Sequence, residues 1–277
     1  MPSMPFPQSL LVFDIETVPD LETGRRLYPN LAMLSDADTL SALTAIRQSE
    51  AGNDFMRPPL HKVACLSLFW FGFTQQPNQA QMRLKSFSLA DMDEAQILSK
   101  FFAIFADKHP NRLPNLVSWN GSSFDIPVLM YRAMHHKLSA PEFFDENSNR
   151  DIQYNNYLNR YHDRHTDLMD KLSLFAGHNK QPLDVMASVC GFAGKGGMNG
   201  SQVVGLVQAG NWQQLTTYCE SDVLNTWLIY LRWQLLVGGL DATTHQQLEQ
   251  ITVNYLDTLT DAQGQRIHQA FLDGWKR

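Results

Sequence analysis

The chain has 277 residues, 44% of them hydrophobic, which is enough core for one large domain or two small ones. Charged residues make up 18% and the formal net charge is -6, so no bulk positive charge offers itself to nucleic acid, and a nucleic-acid enzyme of this balance needs local basic patches and bound cations. No apolar run approaches the ~20 residues of a membrane span, MPSMPFPQSL has no basic stretch leading into an apolar one, and three distant cysteines without a CxxC pair (Cys65, Cys190, Cys219) read as small buried thiols of a reducing, cytoplasmic compartment.

The first half of the chain reads as strands and the second half mostly as helices. LLVFDIETV, from residue 10, is an apolar strand. A polar insertion follows over about residues 20 to 60. Within it DADTLSALTAIRQSE predicts a helix, with acids at its start and Leu40, Leu43 and Ile46 at helical spacing; AGNDFMRPP breaks the chain again. HKVACLSLFWFGF is a strong strand, QMRLKSFSL its hairpin partner, and TQQPNQ the turn between them. The aromatics Phe69, Trp70, Phe71 and Phe73 suit the faces of a sheet.

DMDEAQILSKFFAIFADKH then predicts an amphipathic helix, NLVSWNG a short strand ending at glycine, and SFDIPVLMYRAMHHK a helix directly afterwards. HTDLMDKL holds a possible fifth strand, and PLDVMASVCGF is a short helix with proline near its start. A glycine-rich loop comes next. The long periodic helix from Asn211 stops at Gly238 and Gly239, and two helices follow from Asp241. The pattern predicts an α/β fold, a mixed sheet with helices on its faces. We expect one domain over 1–240, carrying the insertion, and a helical extension over 241–277 packed on it.

Three places carry more acid than their elements need. Side chains alternate along a strand, so Asp14 and Glu16 project together at the end of an apolar segment. At ~4 Å and an effective dielectric of 20 two such charges repel by about 4 kcal/mol, so something positive must offset them or one proton must stay on. Asp125 follows the fourth strand, where an acid serves equally as a helix cap. Asn120 before glycine is ordinary turn vocabulary. Tyr218 and Asp222 lie one turn apart on one face of the long helix, a spacing shared with the edge of any amphipathic helix.

In their order these pieces resemble the three exonuclease motifs of the DEDD superfamily: DIE on the first strand, NGSSFD after a middle strand, and Tyr-x-x-x-Asp on a late helix. The Tyr-x-x-x-Asp form is that of the DEDDy branch. The chain is most similar to predicted 3′–5′ exonucleases related to the proofreading domain of family-B DNA polymerases, over about residues 10 to 235. RYHDRHTDLMD and GFAGKGGMNGSQV also look like that group.

The resemblance implies a ribonuclease H-like (DnaQ-like) fold and hydrolysis of single-stranded 3′ ends, DNA favoured over RNA. It implies Asp14, Glu16, Asp125 and Asp222 as ligands of two divalent ions, Mg²⁺ or Mn²⁺. Tyr218 joins these four as a catalytic residue, orienting the attacking water. Thr17, Asn120, Phe124 and Lys195 become substrate-binding residues. Oxygen-only ligands suit such hard cations. Three further features stay open. Arg150, Arg160, His162, Arg164, His165 and Lys171, interleaved with tyrosines, fit either strand binding or a polar surface. The loop from Gly191 to Gly200 fits either a phosphate cradle with Lys195 or a plain turn. The insertion is either a lid or a guide for the strand, or an ornament. Two alternatives remain: a haloacid dehalogenase-type phosphohydrolase, which also begins with acid-x-acid, and an inactive nuclease-like module that binds nucleic acid or an unknown protein partner.

Overall fold

Among the described residues five strands form one sheet: β1 (Ser9–Pro19), β2 (His61–Phe73), β3 (Ala80–Ser88), β4 (Asn115–Ser118) and β5 (His165–Asp167). The computed structural model describes residues 6–73, 80–106, 113–194, 196–198 and 200–276. The strand order is β3-β2-β1-β4-β5. β1–β2 and β2–β3 are antiparallel, whereas β1–β4 and β4–β5 are parallel. This mixed sheet flanked by helices is the ribonuclease H-like arrangement that the motif order implies. The β2–β3 hairpin forms in the expected pairing; the turn proposed at TQQPNQ lies outside the described residues.

Strand alternation assigns the two faces. Leu10 and Val12 of β1 join Phe69, Phe71 and Val117 on one side. There they meet α7 (Leu183–Cys190), α9 (Trp212–Leu236) and α10 (Ala242–Asp257), with Trp227 fully buried at the centre. Leu11, Phe13 and Ile15 point the other way, onto α3 (Glu94–Ala103) and α4 (Asp125–His135). Each fully buried side chain of this size is worth about 1.5–3 kcal/mol, so a one-residue slip of β1 is heavily penalised. Asp14 and Glu16 therefore continue the Leu10–Val12 row and end up on the α9 side.

The insertion contains α1 (Leu21–Leu27), α2 (Asp36–Ala51) and a short 3₁₀ turn at Pro58–Leu60. The expected helix is present as α2. α1 escaped the sequence reading because it has only about two turns and little apolar periodicity; Asp20 caps it by accepting from Thr23 N at 3.1 Å. The insertion has a small core of its own: Leu31, Leu43, Met56 and Leu60. The remaining helices are α5 (Arg150–Tyr154), α6 (Leu168–Leu172), α8 (Val203–Gln208) and α11 (Gln269–Gly274). Beyond Asp241, α10 lies against α9 and β3: Trp227 Nε1 donates to Thr252 Oγ1 at 3.0 Å, and Leu84 N donates to the Tyr255 hydroxyl at 2.6 Å. No described helix is long and apolar enough to cross a membrane.

Candidate active site

A cavity of about 650 Å³ opens at the C-terminal end of β1, and its lining includes Asp14, Glu16, Thr17, Asn120, Phe124, Tyr218 and Asp222. Seven residues singled out in the sequence thus share one space, although they come from three distant segments. A second cavity of about 540 Å³ lies at the opposite end of β1 and β4, lined by Ser9, Asn115, Asp163, Arg164 and Lys171 among others. Volume does not separate the two. The first gathers acids, while in the second Lys171 Nζ sits 3.4 Å from Asp163 Oδ1.

The first motif is shaped by a register shift. Glu16 pairs with Cys65 but Thr17 pairs with Val63, so Ala64 is an extra residue on β2. A bulge bends its strand and re-aims the side chains beside it. Glu16 is buried and Asp14 half-buried. Ligand atoms of Asp14, Glu16 and Cys219 lie within 4.8 Å of one another. Burial pushes the Cys219 thiol up, and Cys65, Asp14 and Glu16 add to the effect. The thiol stays protonated, 3.6 Å from Asp14 Oδ2, so the anionic donors at this point are oxygens.

The second motif is held by β5. Asn120 adopts a left-handed φ of 64°, a conformation that asparagine tolerates. Asp167 fixes this turn from below: Oδ1 accepts from Asn120 N and Oδ2 from Ser122 N, both at 2.9 Å. A Cβ on Gly121 would come within 2.4 Å of Ser118 Oγ, so glycine is required there. The loop delivers Asp125 to the start of α4. Asp125 does not serve as a cap: its Oδ1 accepts from Ile15 N at 3.2 Å, between Asp14 and Glu16. Burial pushes the Asp125 carboxyl up to about 7 against that bond, with Asp167 and Asp222 pushing the same way. Desolvation and like charge both favour the proton here.

The third motif sits inside the packing of α9 rather than at an exposed edge. Tyr218 is 4% and Asp222 3% exposed, and both line the cavity. Their neighbours Cys219 and Val223 are fully buried, so the side chains one turn apart are wedged toward β1.

The remaining expectations fare differently. Lys195 lies outside the described residues. The loop around it is anchored by Asn225 of α9, whose Nδ2 donates to Gly194 O at 2.9 Å; a Cβ on Gly194 would meet Asp184 Oδ1 at 2.5 Å. The basic stretch is largely engaged in its own fold. Arg160 pairs with Asp170 at 2.8 Å, Lys171 with Asp163 at 3.4 Å, and Arg164 lies over the buried Tyr157 ring. His165 is buried, pushed down to about 4 by desolvation, with Nε2 2.8 Å from Ser118 Oγ. This favours the polar-surface reading.

Sequence reasoning missed Phe55 and His61. Both line the cavity from the end of the insertion and the start of β2. His61 Nε2 faces the Met56 carbonyl at 3.1 Å, which can only accept. Burial lowers the pKa of His61, so its neutral ring takes the hydroxyl proton of Thr17 as acceptor at Nδ1, 2.7 Å away. No local periodicity marks either residue.

These features define a ribonuclease H-like protein with acids from three motifs at the end of its central strand. Residues 53–275 match the family of predicted 3′–5′ exonucleases related to the exonuclease domain of PolB, and the chain belongs to that family. The matched span contains Asn120, Phe124, Asp125, Tyr218 and Asp222, and starts after Asp14 and Glu16. Among solved structures, the family B DNA polymerase from the hyperthermophilic archaeon Pyrobaculum calidifontis is similar at 16% identity and a TM-score of 0.46, with 85% of this chain and 25% of that one covered. The chain thus spans about a quarter of that polymerase's length. No curated protein matches the chain.

Proposed function

We propose that the chain is a 3′–5′ exonuclease of the DEDDy type that removes nucleotides from single-stranded 3′ ends, DNA in preference to RNA. The observation that carries this reading is the convergence in one cavity: Asp14, Glu16, Tyr218 and Asp222 line it, and Asp125 bonds to the amide between the first two. Membership of the exonuclease family supports it and sets aside the dehalogenase alternative.

The donor set fits hard divalent cations. Asp14, Glu16, Asp125 and Asp222 would hold two ions, Mg²⁺ or Mn²⁺, through carboxylate oxygens. A cation would relieve the burial and repulsion that now raise Asp125. When bound, such ions supply positive charge for the scissile phosphate and acidify water. The chain's own residues do the rest. Tyr218 orients the attacking water with its hydroxyl, one helical turn from Asp222. Asn120 and Phe124 contact the terminal nucleotide, and Thr17, whose hydroxyl proton goes to His61, offers its oxygen lone pairs toward the cavity. Lys195 belongs to this proposal as a phosphate contact.

The test is a gel with 3′- and 5′-labelled DNA and RNA in Mg²⁺, Mn²⁺ or chelator. Stepwise loss from the 3′ end, dependent on the cation, is expected. Tyr218→Phe should retain cation binding and lose about 10²-fold in rate. No cleavage of any substrate, with nucleic acid still bound, would leave an inactive binding module.

A further inference from the structure

A solitary exposed apolar side chain is normal on a protein surface. Phe55 differs in its setting. It is 57% exposed, yet its ring lines the carboxylate cavity. Its centroid lies 5.1 Å from that of His61 and 5.3 Å from that of Phe124, and His61 meets Phe124 edge-on at 5.0 Å. Three rings therefore form one tier at the mouth.

The backbone beneath Phe55 is pinned on both sides. Phe55 N donates to Asn53 Oδ1 at 3.2 Å, and its carbonyl accepts from Arg47 Nε at 2.8 Å. The next carbonyl, Met56 O, accepts from His61, and His61 is tied to Thr17 beside Glu16. Hydrogen bonds thus run from Thr17 on β1 through His61 to the carbonyl just after Phe55, and fix the backbone that carries the exposed ring. An aromatic ring carried on a pinned backbone has less entropy to lose when another flat ring covers it.

We propose that Phe55, with Phe124 behind it and His61 as brace, is a stacking surface for a base of the single-stranded 3′ segment. This rests on the exonuclease reading of the same cavity and assigns the insertion a role in substrate binding. Every base has a π-face, so such a surface accepts any sequence. A paired base cannot splay onto it, so the surface selects unpaired ends.

The experiment is a binding cycle. Affinities are measured in Mg²⁺ by fluorescence anisotropy with a 5′-labelled single-stranded DNA whose 3′ linkages are phosphorothioates. Two further oligonucleotides lack the base of the last or of the penultimate nucleotide. Base removal at one of these positions should weaken binding to the wild type by about 5- to 150-fold. For Phe55→Ala the same removal should have a clearly smaller effect, because the two losses share one contact. Phe55→Tyr should restore the coupling, and Phe55→Leu should not. Losses that multiply independently at both positions overturn the proposal, as does full coupling with Phe55→Leu. Cleavage of the unmodified oligonucleotide by the wild type is followed in parallel. Coupling without cleavage sinks the exonuclease reading and leaves the stacking surface standing; cleavage without coupling does the reverse.

Discussion

Two groups of buried acids flank the end of β1, and they have opposite characters. On one flank Asp20 and Glu94 close on Arg132 of α4. Arg132 donates to Asp20 and bonds Glu94 at 2.6 and 2.8 Å, while Val63 N and His136 also reach Glu94. Burial pulls the Asp20 carboxyl up, yet Thr23 and Arg132 together hold it below its ordinary value. On the other flank Asp125 is also buried, and burial with Asp167 and Asp222 raises it to about 7. The first group is a clamp that fastens α1, α3, α4 and β2 around the strand. The second keeps an electrostatic strain that a cation would remove. Burial alone does not distinguish the two; the charges beside each carboxyl do, a cation against Asp20 and other acids against Asp125.

The strongest way to break this comparison is Asp14→Asn. Cleavage of single-stranded DNA should fall by about 10³-fold or more, since several kcal/mol of charge stabilisation goes with the cation. The melting temperature without metal should stay level or rise, because one of several like charges has gone. Retained cleavage would remove the second flank from the chemistry.

Arg132→Met should have the reverse profile. Leaving two buried carboxylates without their cation costs about 3–5 kcal/mol. Urea unfolding followed by circular dichroism measures it, and a loss well under 1 kcal/mol would deny the clamp. Each substitution removes one charge, from the half-buried Asp14 or the buried Arg132, and their opposite outcomes are the sharpest form of the contrast.

Glu220 offers a third case, on α9 between Tyr218 and Asp222. Burial raises it, Ser86 donates to it at 2.7 Å, and His268 Nε2 lies 3.3 Å away. Desolvation pushes His268 down to about 4, so near neutrality this contact involves an uncharged ring and is no ion pair. A histidine whose folded value lies below 6.5 is protonated first in the unfolded chain as pH falls. Its contribution is present above pH 6.5 and is lost toward pH 4. Relative to wild type, His268→Gln should therefore gain stability by up to about 3 kcal/mol on going from pH 7 to pH 4. Parallel unfolding curves at both pH values would contradict the neutral, buried state.

The smallest expected effect is thermal. At about a hundred times its dissociation constant, Mn²⁺ should stabilise the wild type by about 2.7 kcal/mol, read as an upward shift in scanning fluorimetry. Asp222→Asn should lose most of that shift and Arg132→Met should keep it. An equal shift in both would place the cation elsewhere.

Much of this molecule was legible before folding. Alternation in LLVFDIETV set Asp14 and Glu16 on one side, the helical period of α9 put Tyr218 above Asp222, and the tail from Asp241 forms helices as expected. These are short-range regularities, each determined by a residue's own neighbours. α1 was not legible, because about two turns held by an Asp20 cap leave no periodic trace. The basic stretch read equally well as a strand-binding patch, since sequence does not show that Arg160 and Lys171 face Asp170 and Asp163.

What only the tertiary structure decided is the company that each side chain keeps. It brought Asp125 onto the amide of Ile15, 110 residues away in the chain, and set Asp167 beneath Asn120. It also placed Phe55 against Phe124. Sequence alone determined which residues are acidic and which face of its own element each occupies. Whether an acid is clamped by a cation or left beside other acids depended on the charges that folding set next to it, because electrostatic energy follows distance in space and not separation along the chain.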